Sequence, residues 1–167
     1  MKSDDDELTV IQMRPEHFDE VLSIENEAFS NPWSLDDFEY GLREDRGGYA
    51  VVVLLDGWVI GYAVGFLLFE EFHLANLAIG RQWRRHGYGG FLLEHVLEQV
   101  HRTGALFVTL EVRMSNQRAI DLYRKYRFRE IAIRREYYRH PTEDALVMMK
   151  VLGPGLFKQM ETRYGLA

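Results

Sequence analysis

Arg84-Arg85-His86-Gly87-Tyr88-Gly89-Gly90 lies between two apolar stretches, Leu74-Ala75-Asn76-Leu77-Ala78-Ile79 before it and Phe91-Leu92-Leu93-Glu94-His95-Val96-Leu97 after it. The order reads as a strand, a basic glycine-rich turn and the start of a helix. Glycine lets the backbone approach a ligand with no Cβ in the way. The free N–H groups of a helix's first turn point outward, and the helix dipole there favours an anion. Arginine adds charge and donors that suit phosphate. The stretch is a candidate seat for a phosphate-bearing ligand, and it fixes one β-α unit in the middle of the chain.

Elements on either side follow from periodicity and punctuation. Residues 8–13 read as a strand and 15–28 as a helix, with Phe18, Val21, Leu22 and Ile24/Glu25 at helical spacing and Pro15 near its start. Asn31-Pro32-Trp33 breaks that helix, and Ser34 with Asp37 three residues on signals a second, ending near Arg43. Two apolar runs, 49–55 and 58–68, meet at Asp56-Gly57, a hairpin signal. Residues 71–79 are the next strand, 89–101 the helix behind the glycine turn, 107–112 a strand, 116–126 a short helix, and 128–134 and 145–151 two last strands. The order β-α-α-β-β-β-α-β-α-β-β is α+β, with hairpins flanking one β-α-β unit. One domain over 8–152 is expected, after an acidic flexible start at 1–7 and before a tail at 153–167, helical if ordered.

Composition narrows the function. The chain has 167 residues, 47% of them apolar, enough for a real core. A net charge of −6 argues against direct nucleic-acid binding and suits a cationic partner. No apolar run is long enough to span a bilayer, and the start lacks a signal peptide's apolar core, so no membrane role and a cytoplasmic location are expected. There is no cysteine, hence no thiolate nucleophile or Cys-type metal site, and the six histidines lack paired ligand spacing; no metal is expected. No Gly-Lys-Ser/Thr follows the glycines, so a nucleotide P-loop is a poor reading.

Residues 106–112 alternate, placing Phe107, Thr109 and Glu111 on one face and Val108, Leu110 and Val112 on the other. Glu111 falls near the strand's C-terminal end, where open sheets commonly place active sites. Ser115 or Asn116 caps the next helix, on which Ala119, Ile120 and Tyr123 face a core or a cleft.

In order, these pieces resemble a known family. Arg84-Arg85-His86-Gly87-Tyr88-Gly89 is similar to the (Gln/Arg)-x-x-Gly-x-(Gly/Ala) signature of the GNAT acyl-CoA-dependent N-acetyltransferases. Leu110-Glu111-Val112-Arg113-Met114-Ser115-Asn116, Ala119-Ile120-Asp121-Leu122-Tyr123, Arg134-Arg135-Glu136-Tyr137-Tyr138, Glu143-Asp144-Ala145-Leu146-Val147-Met148 and Asn31-Pro32-Trp33-Ser34 resemble segments of its ribosomal-protein-alanine N-acetyltransferases, the RimI type. The resemblance runs from about residue 10 to 151. One departure is Arg127-Phe128 where the family usually has Gly-Phe, so the turn there is expected to be strained or different.

The resemblance implies the GNAT fold, a central, mostly antiparallel mixed sheet flanked by helices, and acetyl-CoA as donor. It places Leu77, Ala78 and Ile79 along the pantetheine and acetyl group. Arg84, Arg85, His86, Gly87, Tyr88, Gly89 and Gly90 hold the pyrophosphate, and Asn116 the pantetheine side. Glu111 becomes the candidate general base and Tyr123 the candidate general acid. Trp33, Tyr137 and Tyr138 become walls of an acceptor groove, with Glu25 and Asp36 as possible sources of negative charge. The implied acceptor is a protein N terminus, the N-terminal alanine of small-subunit ribosomal protein eighteen, on a basic tail. An α-amine (~7.7–8.0) asks less of a base than lysine (~10.4), by about 4 kcal/mol at neutral pH. Glu111 at an ordinary ~4.3 is a weak base that burial is expected to raise, or an ordered water to assist. Direct transfer in a ternary complex is expected. The rivals are a GNAT acting on other N termini, lysine or a small amine, and a silent acyl-CoA-binding module. Nothing in the sequence fixes an oligomeric state.

Overall fold

Among the described residues up to Gly153, seven strands and four α-helices follow one another in the expected order. They are β1 (Leu8–Gln12), α1 (Phe18–Ala28), α2 (Leu35–Gly41), β2 (Gly48–Leu55), β3 (Trp58–Leu68), β4 (Glu71–Ile79), α3 (Tyr88–Arg102), β5 (Phe107–Arg113), α4 (Gln117–Lys125), β6 (Arg129–Tyr138) and β7 (Glu143–Val151). The structure is a computed structural model that describes residues 7–153 and residue 162. The acidic start before Glu7 and, apart from residue 162, the tail beyond Gly153 lie outside the described residues. The strands form one mixed sheet in the order β1-β2-β3-β4-β5-β7-β6, in which β4 and β5 are parallel and the registered neighbours β1–β2, β2–β3, β5–β7 and β6–β7 antiparallel.

The sequence reading took 8–152 as one domain. Packing of the described residues forms two compact units, one within 7–66 with 75–97, the other within 67–74 with 98–153. In the first, α1 and α2 bury Phe18, Val21, Ile24 and Phe38 in a cluster with Ala50 and Val52 of β2 and Tyr62 and Val64 of β3. Burying such side chains is worth roughly 1.5–3 kcal/mol each. Ser34 caps α2 through a reciprocal capping box with Asp37, as its spacing predicts. Asp56 (φ 50) and Gly57 (φ 82) both take left-handed backbone, the two-residue turn that matches strand twist. Gly61 of β3 is required by close approach, since a Cβ there would lie 2.4 Å from Ile79 Cδ1 and 2.7 Å from the Ala78 carbonyl oxygen.

In the second unit, β5 alternates as read, with Val108, Leu110 and Val112 buried and Phe107, Thr109 and Glu111 partly open. β5 pairs with β7 along the whole length of β5, and Ala145, Leu146, Val147, Met148 and Met149 are buried. β6 runs beyond the expected residue 134 to Tyr138. The extension hides in the sequence because its register with β7 breaks between Arg134 and Tyr138, where Glu136 takes φ 50. Asp144 then holds the break, accepting from the Glu136 amide at 2.9 Å and pairing with Arg135.

Candidate active site

Glu111 owes its surroundings to strand register. β4 and β5 pair in parallel over three residues each, and this sets His73 directly beside Thr109. Thr109 and Glu111 lie two residues apart and so share a face. His73 Nε2 lies 3.1 Å from Glu111 Oε2, and His73 Nδ1 lies 3.1 Å from Thr109 Oγ1. Thr109 in turn donates its hydroxyl hydrogen to Glu71 Oε1. The imidazole thus stands between Thr109 and Glu111, and the chain Glu71–Thr109–His73–Glu111 runs from one carboxylate to the other.

Arg134 of β6 brings a guanidinium to the other oxygen, its Nε 3.4 Å from Glu111 Oε1, while the Glu111 side chain is only 10% exposed. Burial pushes its carboxyl upward and is the largest single influence. The His73 hydrogen bond, the His73 charge and the Arg134 charge together outweigh it and hold the group below the ordinary carboxylate range. This corrects the expectation that burial would raise it.

Tyr123 is held by the end of its own helix. Arg127 takes φ 66 at the position where the family has glycine. The Phe128 amide donates to the Tyr123 carbonyl (3.0 Å) and the Arg127 amide to that of Arg124 (2.9 Å). These are the paired bonds of a Schellman helix end. The turn is thus the ordinary left-handed one with arginine bearing the strain, and its apolar contact is Phe128 against the Tyr123 ring, 5.5 Å between centroids. Tyr123 is buried, which raises its hydroxyl to about 12.

Tyr137 and Tyr138 close the same unit, their rings edge to face at 5.0 Å. The Arg113 guanidinium lies 4.4 Å from the Tyr138 ring centre, and that of Arg134 5.8 Å from Tyr137. Burial raises both phenols, followed by the Glu111 charge at Tyr137 and by Tyr137 and then Glu111 at Tyr138. Arg113 also donates to the carbonyls of Arg139 (2.9 Å) and Pro141 (3.1 Å), fixing the turn after these tyrosines. Glu143 accepts from the Ser115 amide (2.6 Å) and hydroxyl (2.9 Å) and from Arg113, and so ties the start of α4 to the same turn. Asn116 caps α4 through its side-chain oxygen, which accepts from the Ala119 amide at 3.2 Å.

The first unit carries the basic turn. α3 begins at Tyr88, and Arg85 (φ 68) and Gly87 (φ 86) take left-handed backbone just before it. Nothing lies within 4 Å of the position a Cβ would take on Gly87, so the backbone there is open to a close ligand. Arg84 is turned inward, its Nε donating to the Ile79 carbonyl at 2.9 Å. Arg85 and His86 are exposed, and the His86 ring stacks on the buried Tyr88 at 5.8 Å. Gly89 and Gly90 form the first turn of α3; on β4, Ala78 and Ile79 are buried and Leu77 partly so. This geometry fits an anion held by backbone N–H groups and one free arginine.

Trp33 is half-buried, with its ring 5.4 Å from Phe38. Asp36 is exposed, but Glu25 is wholly buried and offers no surface charge to an acceptor. The residues that sequence reasoning missed around Glu111 are His73, Thr109 and Glu71. Thr109 was visible on the right face, whereas His73 depends on inter-strand register, which one sequence does not display. Among the described residues no group of three His, Cys, Asp or Glu side chains is placed to hold a metal, and no helix is long and apolar enough to cross a membrane.

Comparison with known proteins places the chain in a family. The Acetyltransferase (GNAT) family profile matches residues 18–128. The [ribosomal protein bS18]-alanine N-acetyltransferase of Escherichia coli (strain K12) is 35% identical over 129 residues, covering 75% of this chain and 84% of that one. An N-alpha-acetyltransferase of Sulfurisphaera tokodaii is 32% identical over 143 residues, covering 78% and 84%. The crystal structure of the ribosomal-protein-S18-alanine N-acetyltransferase from Escherichia coli superposes with a TM-score of 0.82 at 29% identity, covering 89% of this chain and 96% of that one. By profile, by sequence and by fold, the chain belongs to the acetyltransferase (GNAT) family.

Proposed function

We propose that the chain moves the acetyl group of acetyl-CoA onto the α-amino group of a protein N terminus, with the N-terminal alanine of ribosomal protein bS18 as the foremost acceptor. The observation that carries this reading is the state of Glu111, a nearly buried carboxylate kept ionised by His73 and Arg134. Such a group is always ready to accept a proton yet is a weak base. It suits an amine that is already partly neutral near pH 7 and does not suit lysine, which costs about 4 kcal/mol more to deprotonate there. The names of the relatives support the reading, one for the bS18 alanine and the other for an α-amine.

In this reading acetyl-CoA supplies the thioester, the exposed Arg85 and the first-turn amides of α3 bind its pyrophosphate, and Leu77, Ala78 and Ile79 line its pantetheine. Asn116 borders the cofactor, and Trp33, Tyr137 and Tyr138 wall the acceptor. The amine nitrogen attacks the thioester carbon in a ternary complex. Its nitrogen becomes acidic as the C–N bond forms, and Glu111 takes the proton. The C–S bond then breaks, and Tyr123 donates a hydrogen bond to the departing thiolate. A hydroxyl at about 12 lies well above a thiol at ~8.5, so full proton transfer from Tyr123 is uphill by about 5 kcal/mol. Tyr123 therefore stabilises the thiolate, and water completes its protonation.

The test offers acetyl-CoA with short peptides beginning in Ala, Ser or Met, or with a blocked start, each with and without an internal lysine. Acetyl is then located by mass. Label on Ala-initiated N termini alone is the expected result. Label on lysine alone refutes the acceptor, and tight CoA binding without transfer points to a silent acyl-CoA-binding module.

A further inference from the structure

Glu25 is fully buried in α1, and three neutral donors converge on it from separate parts of the first unit. The Trp33 amide donates to Oε1 at 2.8 Å. Asn76 Nδ2 of β4 reaches Oε1 at 3.0 Å and Oε2 at 3.1 Å. The Tyr62 hydroxyl of β3 donates to Oε2. Two acceptor oxygens meet all three donors, whereas glutamine at this place keeps one acceptor oxygen and turns an NH2 toward the donors at the other. A buried carboxylate answered by no cation costs folding energy. Burial raises this one to about 7, with Asp37 of α2 adding to the rise while the Trp33 and Asn76 bonds oppose it. The core alone would be served better by an apolar side chain.

What the carboxylate ties down is functional ground. Residues 29–34 have no helix or strand of their own, yet they carry Trp33. Asn76 immediately precedes Leu77, where the donor is read to lie. We propose that Glu25 is a positioning residue for the acceptor: through the Trp33 amide it fastens the segment between α1 and α2 to β4, and so sets the acceptor's wall at a fixed height on the donor strand. The inference rests on the reading of Trp33 as that wall.

The test measures peptide KM, kcat and acetyl-CoA affinity for Glu25→Gln, Tyr62→Phe and Trp33→Ala in the full chain. Glu25→Gln is expected to raise peptide KM roughly tenfold, the worth of one hydrogen bond, with kcat changed by less than about threefold and acetyl-CoA affinity unchanged. Tyr62→Phe, which spares the Trp33 bond, leaves peptide KM near wild type. If Glu25→Gln does not fold, Asn76→Ala carries the test, since it cuts the β4 side of the tie; a rise in peptide KM supports the inference. In a Trp58→Phe, Trp83→Phe background, Trp33 fluorescence is expected to change with pH around the Glu25 titration and to be flat once Glu25→Gln is added. A normal peptide KM in Glu25→Gln or Asn76→Ala, or a loss in kcat alone, overturns the inference while leaving the acceptor reading intact. A normal peptide KM in Trp33→Ala overturns the acceptor wall itself and this inference with it.

Discussion

His73 Nε2 and Glu111 Oε2 stand 3.1 Å apart, on adjacent parallel strands. The imidazole is the main group opposing the upward push of burial on that carboxyl. In His73→Asn that opposition weakens, and the carboxyl rises. The acid limb of kcat/KM should move to higher pH, because Glu111 must be ionised to accept a proton and now loses its charge earlier as pH falls. A pH–rate profile of the variant beside wild type reads this directly. An unmoved limb separates His73 from the chemistry.

Removing the carboxylate is a harsher change. Glu111→Gln should lower kcat by roughly 10²–10⁴-fold, the usual worth of a positioned base, while acetyl-CoA affinity by calorimetry stays near wild type. Full turnover in this variant would exclude Glu111 as the base.

Tyr123→Phe should cost less. A hydrogen bond to a charged group is worth about 1.5–3 kcal/mol, so turnover should fall roughly 10- to 150-fold. The basic limb of the pH profile should stay where it is below about pH 10, since burial raises the phenol to about 12, beyond that range. Moving a basic limb near pH 8 by this substitution would mean that Tyr123 itself ionises in the working range.

Glu25 makes a separate prediction for stability. Its folded value of about 7 lies above its ordinary 4.5, so between them the folded state holds the proton that the unfolded chain releases. Stability from this group is therefore greatest below about pH 4.5, declines as pH rises to about 7 and is level above, a span of about 3 kcal/mol. Glutamine has no such slope. Urea midpoints for wild type and Glu25→Gln, taken at several pH values, should diverge in the variant's favour as pH rises across that window. Parallel curves would show that the carboxyl titrates normally.

Arg127→Gly should stabilise the protein. A left-handed residue with a Cβ costs about 1–2 kcal/mol, part of which glycine gives back in unfolded-state entropy. A gain of about 1 kcal/mol corresponds to a Tm rise of roughly 2–4 °C at this size, readable by calorimetry. A lower Tm would mean that the arginine side chain contributes more than its backbone costs.

Much of this arrangement was legible in the sequence, and the parts that were not share a cause. The β5 alternation, the Asp56-Gly57 turn, the Ser34 cap and the strand–turn–helix around Gly87 are local, written within a few residues. His73 beside Thr109, and Trp33 on Glu25, join segments 36 and 8 residues apart in sequence through register and burial. Glu25 showed only as one more residue on the apolar spacing of α1, and surface charge was the natural guess. The end of β6 was missed because Arg134-Arg135-Glu136 has no apolar rhythm, and Asp144 rather than a core holds it in place.

Among the described residues β6 has β7 as its only strand neighbour, and such a strand offers its outer edge to any extended chain that drifts by. Here the edge is interrupted. Between Arg134 and Tyr138 the ladder loses register, the backbone swings through Glu136, and three charged side chains in succession are exposed. A second copy laying its own strand alongside would meet a ladder that stops part-way. The bend that carries Tyr137 and Tyr138 thus also makes this edge a poor template for strand-by-strand pairing.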